Sequence, residues 1–325
     1  MKVEPGTQRF VIGAIVFLAL VYGLTRAVSN EYVFFALYVV LQFIVLATAW
    51  NILGGYAGYV NFGSGAFFAV GAYTGVALFK WVDAPVLVQV VAGATMSGLL
   101  GLAVGALSLR LRGIFFSIAT VAIAIILETV VVNTPYLGGA KGLPILRPGA
   151  PPLFHSYLEF VFFLMAVIAV VAVFCARYVE TSWIGRGLRA IRDNEGAAEC
   201  SGVPTLKLKL FAATLSGALM GAAGAPFALY LSFIEPTSVF NLNYAVSALA
   251  MPIIGGMSHW IGPVIGAVLL GTVQQLVTVT ISSELNVLVV GVLLVVFVVA
   301  APDGILGLVA KLRRRRPPVR QEAPA

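Results

Sequence analysis

The sequence predicts an all-α integral membrane protein with about ten transmembrane helices, and three observations carry that prediction. Of its 325 residues 60% are hydrophobic and 10% charged, with a mean hydropathy of +1.02; a soluble domain carries roughly 25% charged residues. The apolar residues come in continuous runs without strand-like alternation, so helices and not a barrel satisfy the backbone in lipid. The thirty-four glycines include Gly98-Leu99-Leu100-Gly101 and Gly217-Ala218-Leu219-Met220-Gly221, spacings that let helices approach through small residues. Cys175 falls in an apolar run and Cys200 in a charged stretch, a placement that argues against a structural disulfide. The net charge of +7 sorts by membrane side, so no nucleic-acid partner is expected.

Taken in order, the spans lie near 10–24, 31–53, 62–79, 86–109, 114–132, 156–176, 208–231, 241–256, 260–281 and 286–301. The first follows a short basic start (Lys2, Arg9) and leads into Thr25-Arg26 without a small-x-small cleavage site, so it reads as a retained span and not a signal peptide. Its fifteen residues are short for a hydrocarbon core about 30 Å thick. Glycine and polar residues interrupt the third and eighth. The fifth carries Ser117, Thr120 and, near its outer end, the single acid Glu128, at a depth where water can reach it. The loop that follows, from Asn133 to Pro144, has the glycines and prolines of a fixed surface feature.

Ten spans place both termini on one side. That side then holds sixteen of the twenty basic residues: Lys2, Arg9, Arg110, Arg112, the six between Arg177 and Lys209, Lys311, Arg313 to Arg316 and Arg320. The other side holds Arg26, Lys80, Lys141 and Arg147. Positive charge marks the cytoplasmic face, so both termini and the central loop are expected there. Spans two to five and seven to ten form two sets of opposite sense, an arrangement expected of an inverted repeat.

The stretch from Arg177 to Lys209 is the one long charged interior segment. Ile184, Leu188 and Ile191, at offsets 0, 4 and 7, lie on one helix face. Asp193 or Asn194 can cap a second short helix through Ala198, which Gly202 and Pro204 end. Such a charged helix pair is either a docking surface for a soluble partner or a plain loop carrying orientation charge. The glycine-rich run from Gly54 to Phe68 predicts irregular or tightly packed backbone, since each helical glycine costs about 1 kcal/mol relative to alanine. Asn61 and Ser64 then face a solute pathway, with Ser117 and Thr120 as further lining candidates, or else the helices pack closely with Ser64 bonded to a neighbouring carbonyl. Ala250 to Pro263 reads as a span end, a tight turn and a new span, with His259 isolated in the turn. No nucleotide-binding phosphate loop, zinc-ligand spacing or serine-hydrolase elbow is present, so no catalytic residue, metal or cofactor is expected. The spans also lack a proton-relay set of acids and histidines. A carrier without its own energy source implies energy from a partner.

The run Gly58-Tyr59-Val60-Asn61-Phe62-Gly63-Ser64-Gly65-Ala66-Phe67-Phe68 resembles the permease subunits of branched-chain amino acid ABC importers. So do Leu111-Arg112-Gly113-Ile114-Phe115-Phe116, Gly138-Gly139-Ala140-Lys141-Gly142-Leu143-Pro144, Gly185 to Glu199, and Gly255-Gly256-Met257 followed by Gly262-Pro263. The resemblance spans residues 35 to 300 and is to the M-type member of the permease pair. It implies a type II ABC importer fold and one permease domain over 1–325, with a coupling loop at 177–209 and a basic tail at 303–325. The implied partners are a homologous second permease, two cytoplasmic ATPase subunits, a periplasmic substrate-binding protein and the lipid bilayer, in a bacterial cytoplasmic (inner) membrane. Arg186, Arg189, Arg192, Asp193, Glu195, Ala197, Ala198 and Gly202 fall on the family's coupling motif. Gly196 stands in place of that motif's glutamate, Ser64 where relatives often carry histidine, and Ser258-His259 in place of glycine-threonine. The resemblance implies import of branched-chain amino acids or related small polar solutes (urea, amides, aromatic acids). A stand-alone channel or facilitator is the alternative.

Overall fold

A computed structural model describes residues 5–28, 30–108, 113–149, 151–280 and 285–314. Lys2, the Arg110/Arg112 turn, Arg315, Arg316 and Arg320, which figure in the charge asymmetry, lie outside the described residues. The helices run α1 (Pro5–Ala27), α2 (Glu31–Ala57), α3 (Ser64–Val82), α4 (Val86–Ser108), α5 (Ile114–Val132), α6 (Tyr157–Thr181), α7 (Trp183–Asp193) and α8 (Glu195–Cys200). After these come α9 (Thr205–Gly224), α10 (Phe227–Leu231), α11 (Pro236–Val239), α12 (Leu242–Gly255), α13 (Ile261–Thr280), α14 (Leu285–Ala300) and α15 (Gly304–Arg314). Among the described residues ten helical segments are long and apolar enough to cross a membrane, one for each expected span.

Three boundaries differ from expectation for one reason: helices continue past their apolar stretch. α1 has 23 residues, because Thr7, Gln8, Arg9, Thr25 and Arg26 are helical although polar, and it is long enough to span. Arg177 belongs to α6, and Lys207 and Lys209 to α9. The loop expected at 177–209 is therefore a tighter hairpin between Ser182 and Pro204, with helix extensions on either side. α2 continues through Gly54 and Gly55 to Ala57, so the irregular stretch shrinks to residues 58–63.

α2 is the central helix, buried almost throughout from Leu41 to Ala57 against α6, α9, α12 and α13. Asn30 starts it, the Asn30 side chain accepting from Tyr32 N–H at 3.0 Å; Ser156 and Asn241 cap α6 and α12 in the same way. Side-chain caps of this kind satisfy donors that the first turn leaves without partners. The most extensive helix contact in the bundle is α4 on α9, and their glycines allow it. A Cβ on Gly101 would stand 2.6 Å from the Ala213 carbonyl oxygen, and one on Gly217 2.8 Å from that of Ser97. At Gly221 it would collide with Ser97 and the Gly93 carbonyl. Ser97 donates across to Phe67 O at 2.9 Å, tying α3 into the same layer.

At the opposite end from the hairpin, the loop after α5 is folded and pinned. Leu143–Pro144 (β1) pairs antiparallel with Phe233–Ile234 (β2), and Ile145 N–H donates to Ser232 O at 2.9 Å. Arg147 donates to Leu229 O at 2.9 Å and also to Tyr230 O. Gly142 takes a positive φ of 71° to enter the pairing, a conformation glycine reaches without strain.

Candidate functional site

Two places in the fold gather polar chemistry, one at each end of the bundle. The first is the crossover between α2 and α3, with the hairpin docked on it. Gly58, at φ 77°, closes α2 by donating to Gly54 O, the left-handed cap for which glycine is suited. The chain then crosses to Gly63 without regular structure, and side chains take up its backbone groups. Trp50 Nε1 donates to Asn61 O at 2.8 Å, Gly63 N–H to the Asn61 side chain at 2.7 Å, and Ser64 Oγ to Asn61 O at 3.4 Å. From α5, Ser117 Oγ donates to Val60 O at 2.9 Å, and Thr120 Oγ1 accepts from Phe62 N–H at 3.1 Å. The structure thus brings together Asn61, Ser64, Ser117 and Thr120, the four expected pathway residues. It spends all of them on the crossover backbone, which satisfies the rule that irregular backbone at membrane depth must be received by protein.

The hairpin attaches directly to this crossover. α7 buries Gly185, Leu188 and Ile191; Ile184, expected on that face, is half-buried, because Gly185 is small enough to lie on the Val179–Glu180 backbone. Arg192 donates to Gly55 O at 2.9 Å, and Arg189 to Glu180 O at 2.9 Å. Glu180 in turn accepts from Tyr56 at 3.2 Å and from Trp260 N–H at 2.5 Å. Asn194 caps α8, accepting from Ala197 N–H at 3.1 Å, and Gly202, at φ 79°, ends the turn after it.

Glu195 points inward. It pairs with Lys209 at 2.7 Å and accepts from Tyr59 Oη at 2.6 Å, while the Lys209 side chain is only 4% exposed. A cation and an anion buried together hold α8, α9 and the crossover in one register. The eight expected coupling residues therefore divide. Arg189, Arg192, Glu195 and the buried Ala198 anchor the hairpin, whereas Arg186, Asp193, Ala197 and Gly202 are turned to the outside with Trp183. A groove of about 330 Å³ runs beside Trp183, Arg186, Ala190, Gly202 and Pro204 on that outer face.

The second place is a polar cavity of about 300 Å³ at the other end, between α2, α12, α13 and α14. Gln42, Asn241, Asn243, Tyr244, Ser247 and Gln274 line it, with no charged side chain among its walls. Gln42 and Gln274 are 1% and 5% exposed. Gln274 donates to Ser247 at 3.2 Å, yet the carbonyl oxygens of both glutamines have no hydrogen-bond partner among the described residues. None of the four expected pathway residues lines this cavity. The available signal was a lone glutamine, Gln42, in the middle of apolar α2 and the Gln274-Gln275 pair in α13, side chains that are costly there without a purpose.

Ten membrane-crossing helices, a charged hairpin clamped to a broken membrane segment and an uncharged polar cavity describe a multi-pass permease. The family described as branched-chain amino acid transport system, permease component, matches residues 32–298, and the chain belongs to that family. It is similar to the high-affinity branched-chain amino acid transport permease LivM of Salmonella typhimurium and to that of Escherichia coli. Each is 27% identical over 289 residues, covering 81% of this chain and 67% of the relative. It is also 27% identical over 275 residues to a probable LivH permease of Methanocaldococcus jannaschii, covering 78% of this chain and 85% of that one. No solved structure gives a significant match. The chain is thus a permease component of an ABC transporter.

Proposed function

We propose that this chain is one half of the membrane gate of an importer for branched-chain amino acids, with urea, amides and aromatic acids as related solutes within its chemistry. It hydrolyses nothing itself. Two cytoplasmic ATPase subunits grip residues 177–209, a homologous permease completes the channel, and a periplasmic binding protein delivers the solute. The whole of 1–325 acts as one permease domain in a bacterial inner membrane, with both termini and the basic tail at 303–325 in the cytoplasm. Its two four-span sets are related as an inverted repeat.

The observation that carries this reading is the linkage between hairpin and crossover through Arg192, Glu195, Lys209 and Tyr59. A force applied to α7 or α8 reaches the end of α2 through hydrogen bonds and a buried ion pair, with no flexible linker between. Asn61, Ser64, Ser117 and Thr120 serve the pathway by holding the segment that moves. Arg186 and Trp183 face the motor. Reconstitution of the assembled transporter tests this: Arg186→Glu should leave the complex folded while abolishing substrate-stimulated ATP hydrolysis and uptake together. Uptake by the permease alone, without ATPase subunits, would instead establish a free-standing facilitator.

A further inference from the structure

We propose that the cleft between α1 and the rest of the bundle is a binding site for one anionic phospholipid. Its headgroup is held by Arg9 and Arg177, and an acyl chain lies along the first half of α1. The site stands on geometry; only its assignment to the cytoplasmic leaflet rests on the orientation proposed above.

The cleft measures about 540 Å³ and is walled by apolar side chains, among them Phe17, Leu41, Val173, Val264 and Val268. Its α1 wall includes Gly13, and a Cβ placed there would meet nothing within 4 Å. That is the opposite of the glycines of α4 and α9, which touch backbone. Gly13 therefore lies on the cleft without being needed for a helix contact. Residues 9 to 17 of α1 extend about 12 Å at 1.5 Å per residue, close to the depth of one leaflet in a core about 30 Å thick.

Charge is confined to one end. Arg9 and Arg177 are both lining residues, and among the described residues neither forms an ion pair. The Arg177 guanidinium lies over the rings of Phe10 and Trp260, at 5.1 and 5.5 Å, and those two rings meet edge-on at 5.5 Å. This cluster holds the cation in place at the mouth, at the level where tryptophan and arginine mark a membrane interface.

An occupant must be apolar along the walls and anionic at one end. A zwitterionic phospholipid brings its own cation and gains less from the two arginines, a free phosphate leaves the apolar walls uncovered, and a neighbouring helix leaves both arginines unpaired. α1 lies outside the family match at 32–298, so the site combines the family core with a helix beyond it.

The test is native mass spectrometry of the assembled transporter in mild detergent, offered equal amounts of phosphatidylglycerol and phosphatidylcholine with the same acyl chains. Phosphatidylglycerol should be retained preferentially, by about fivefold for each arginine. The preference should vanish in Arg9→Gln/Arg177→Gln and persist in Arg9→Lys/Arg177→Lys. Should the double glutamine variant not fold, Arg9→Gln alone, at the exposed helix start, should lose about fivefold. Equal retention of the two lipids by the wild type, or a preference unchanged by glutamine, would overturn the proposal. So would displacement of the lipid by excess inorganic phosphate, or cross-linking of Gly13→Cys to the second permease, which would make the cleft a subunit contact.

Discussion

The crossover lies at the end of α2 and the polar cavity against its middle, and they treat polar groups in opposite ways. At the crossover, the side chains of Asn61, Ser64, Ser117, Thr120, Arg192 and Glu195 are committed to named partners within hydrogen-bonding distance. In the cavity two buried amide oxygens have none among the described residues. Polar side chains are expensive at membrane depth, so the two regions spend that cost differently. The first converts polarity into mechanical connection. The second leaves two amide oxygens unused among the described residues, in walls that carry no charged side chain.

The sharpest way to break this contrast is to remove one member of the buried ion pair. Lys209→Met takes the cation from the Glu195 carboxylate and should destabilise the protein by about 3–5 kcal/mol, whereas Glu195→Gln combined with Lys209→Met should cost clearly less than the sum of the singles. Thermal unfolding of the four proteins in detergent measures this, and additive losses would show that the pair does not couple. Next in size, Gly221→Ala drives a methyl into Ser97 and the Gly93 carbonyl. It should cost about 1–3 kcal/mol, seen as lost folded yield on size-exclusion chromatography.

The cavity should respond in the reverse sense. Gln42→Leu should cost about 1 kcal/mol of stability, because it deletes an oxygen with no partner among the described residues but also the side-chain hydrogen bond to Tyr244, while uptake in proteoliposomes falls on the order of tenfold, the worth of one hydrogen bond at about 1.4 kcal/mol. Unaltered uptake would mean that solute passes elsewhere. Smallest in stability is Arg186→Glu, within about 0.5 kcal/mol as for other exposed substitutions, so that any loss of coupled ATP hydrolysis reports docking and not unfolding.

The spans were legible because long apolar runs have few other fates, and the Asn194 cap because asparagine before a helix-forming run is a local signal. Lys209 was not. A lysine four residues into a span reads as solvent-facing, and its partner Glu195 is fourteen residues away, delivered by the hairpin and not by helical spacing. The glutamines were hidden for a similar reason: Gln42 stands alone in an apolar run, and nothing near Gln274-Gln275 in sequence shows that Gln274 shares a cavity with it. That Asn61 and Ser64 share a crossover with Ser117 and Thr120 was not legible, because the latter two arrive from α5, a tertiary fact. The length of α1 was underestimated because apolar runs mark only the part of a helix that lipid touches.

The strand pair and Arg147 stitch the segment after α5 to the segment after α9, two stretches drawn from different halves of the chain. Drawing these two segments apart would break the strand pairing together with the hydrogen bonds of Ile145 and Arg147.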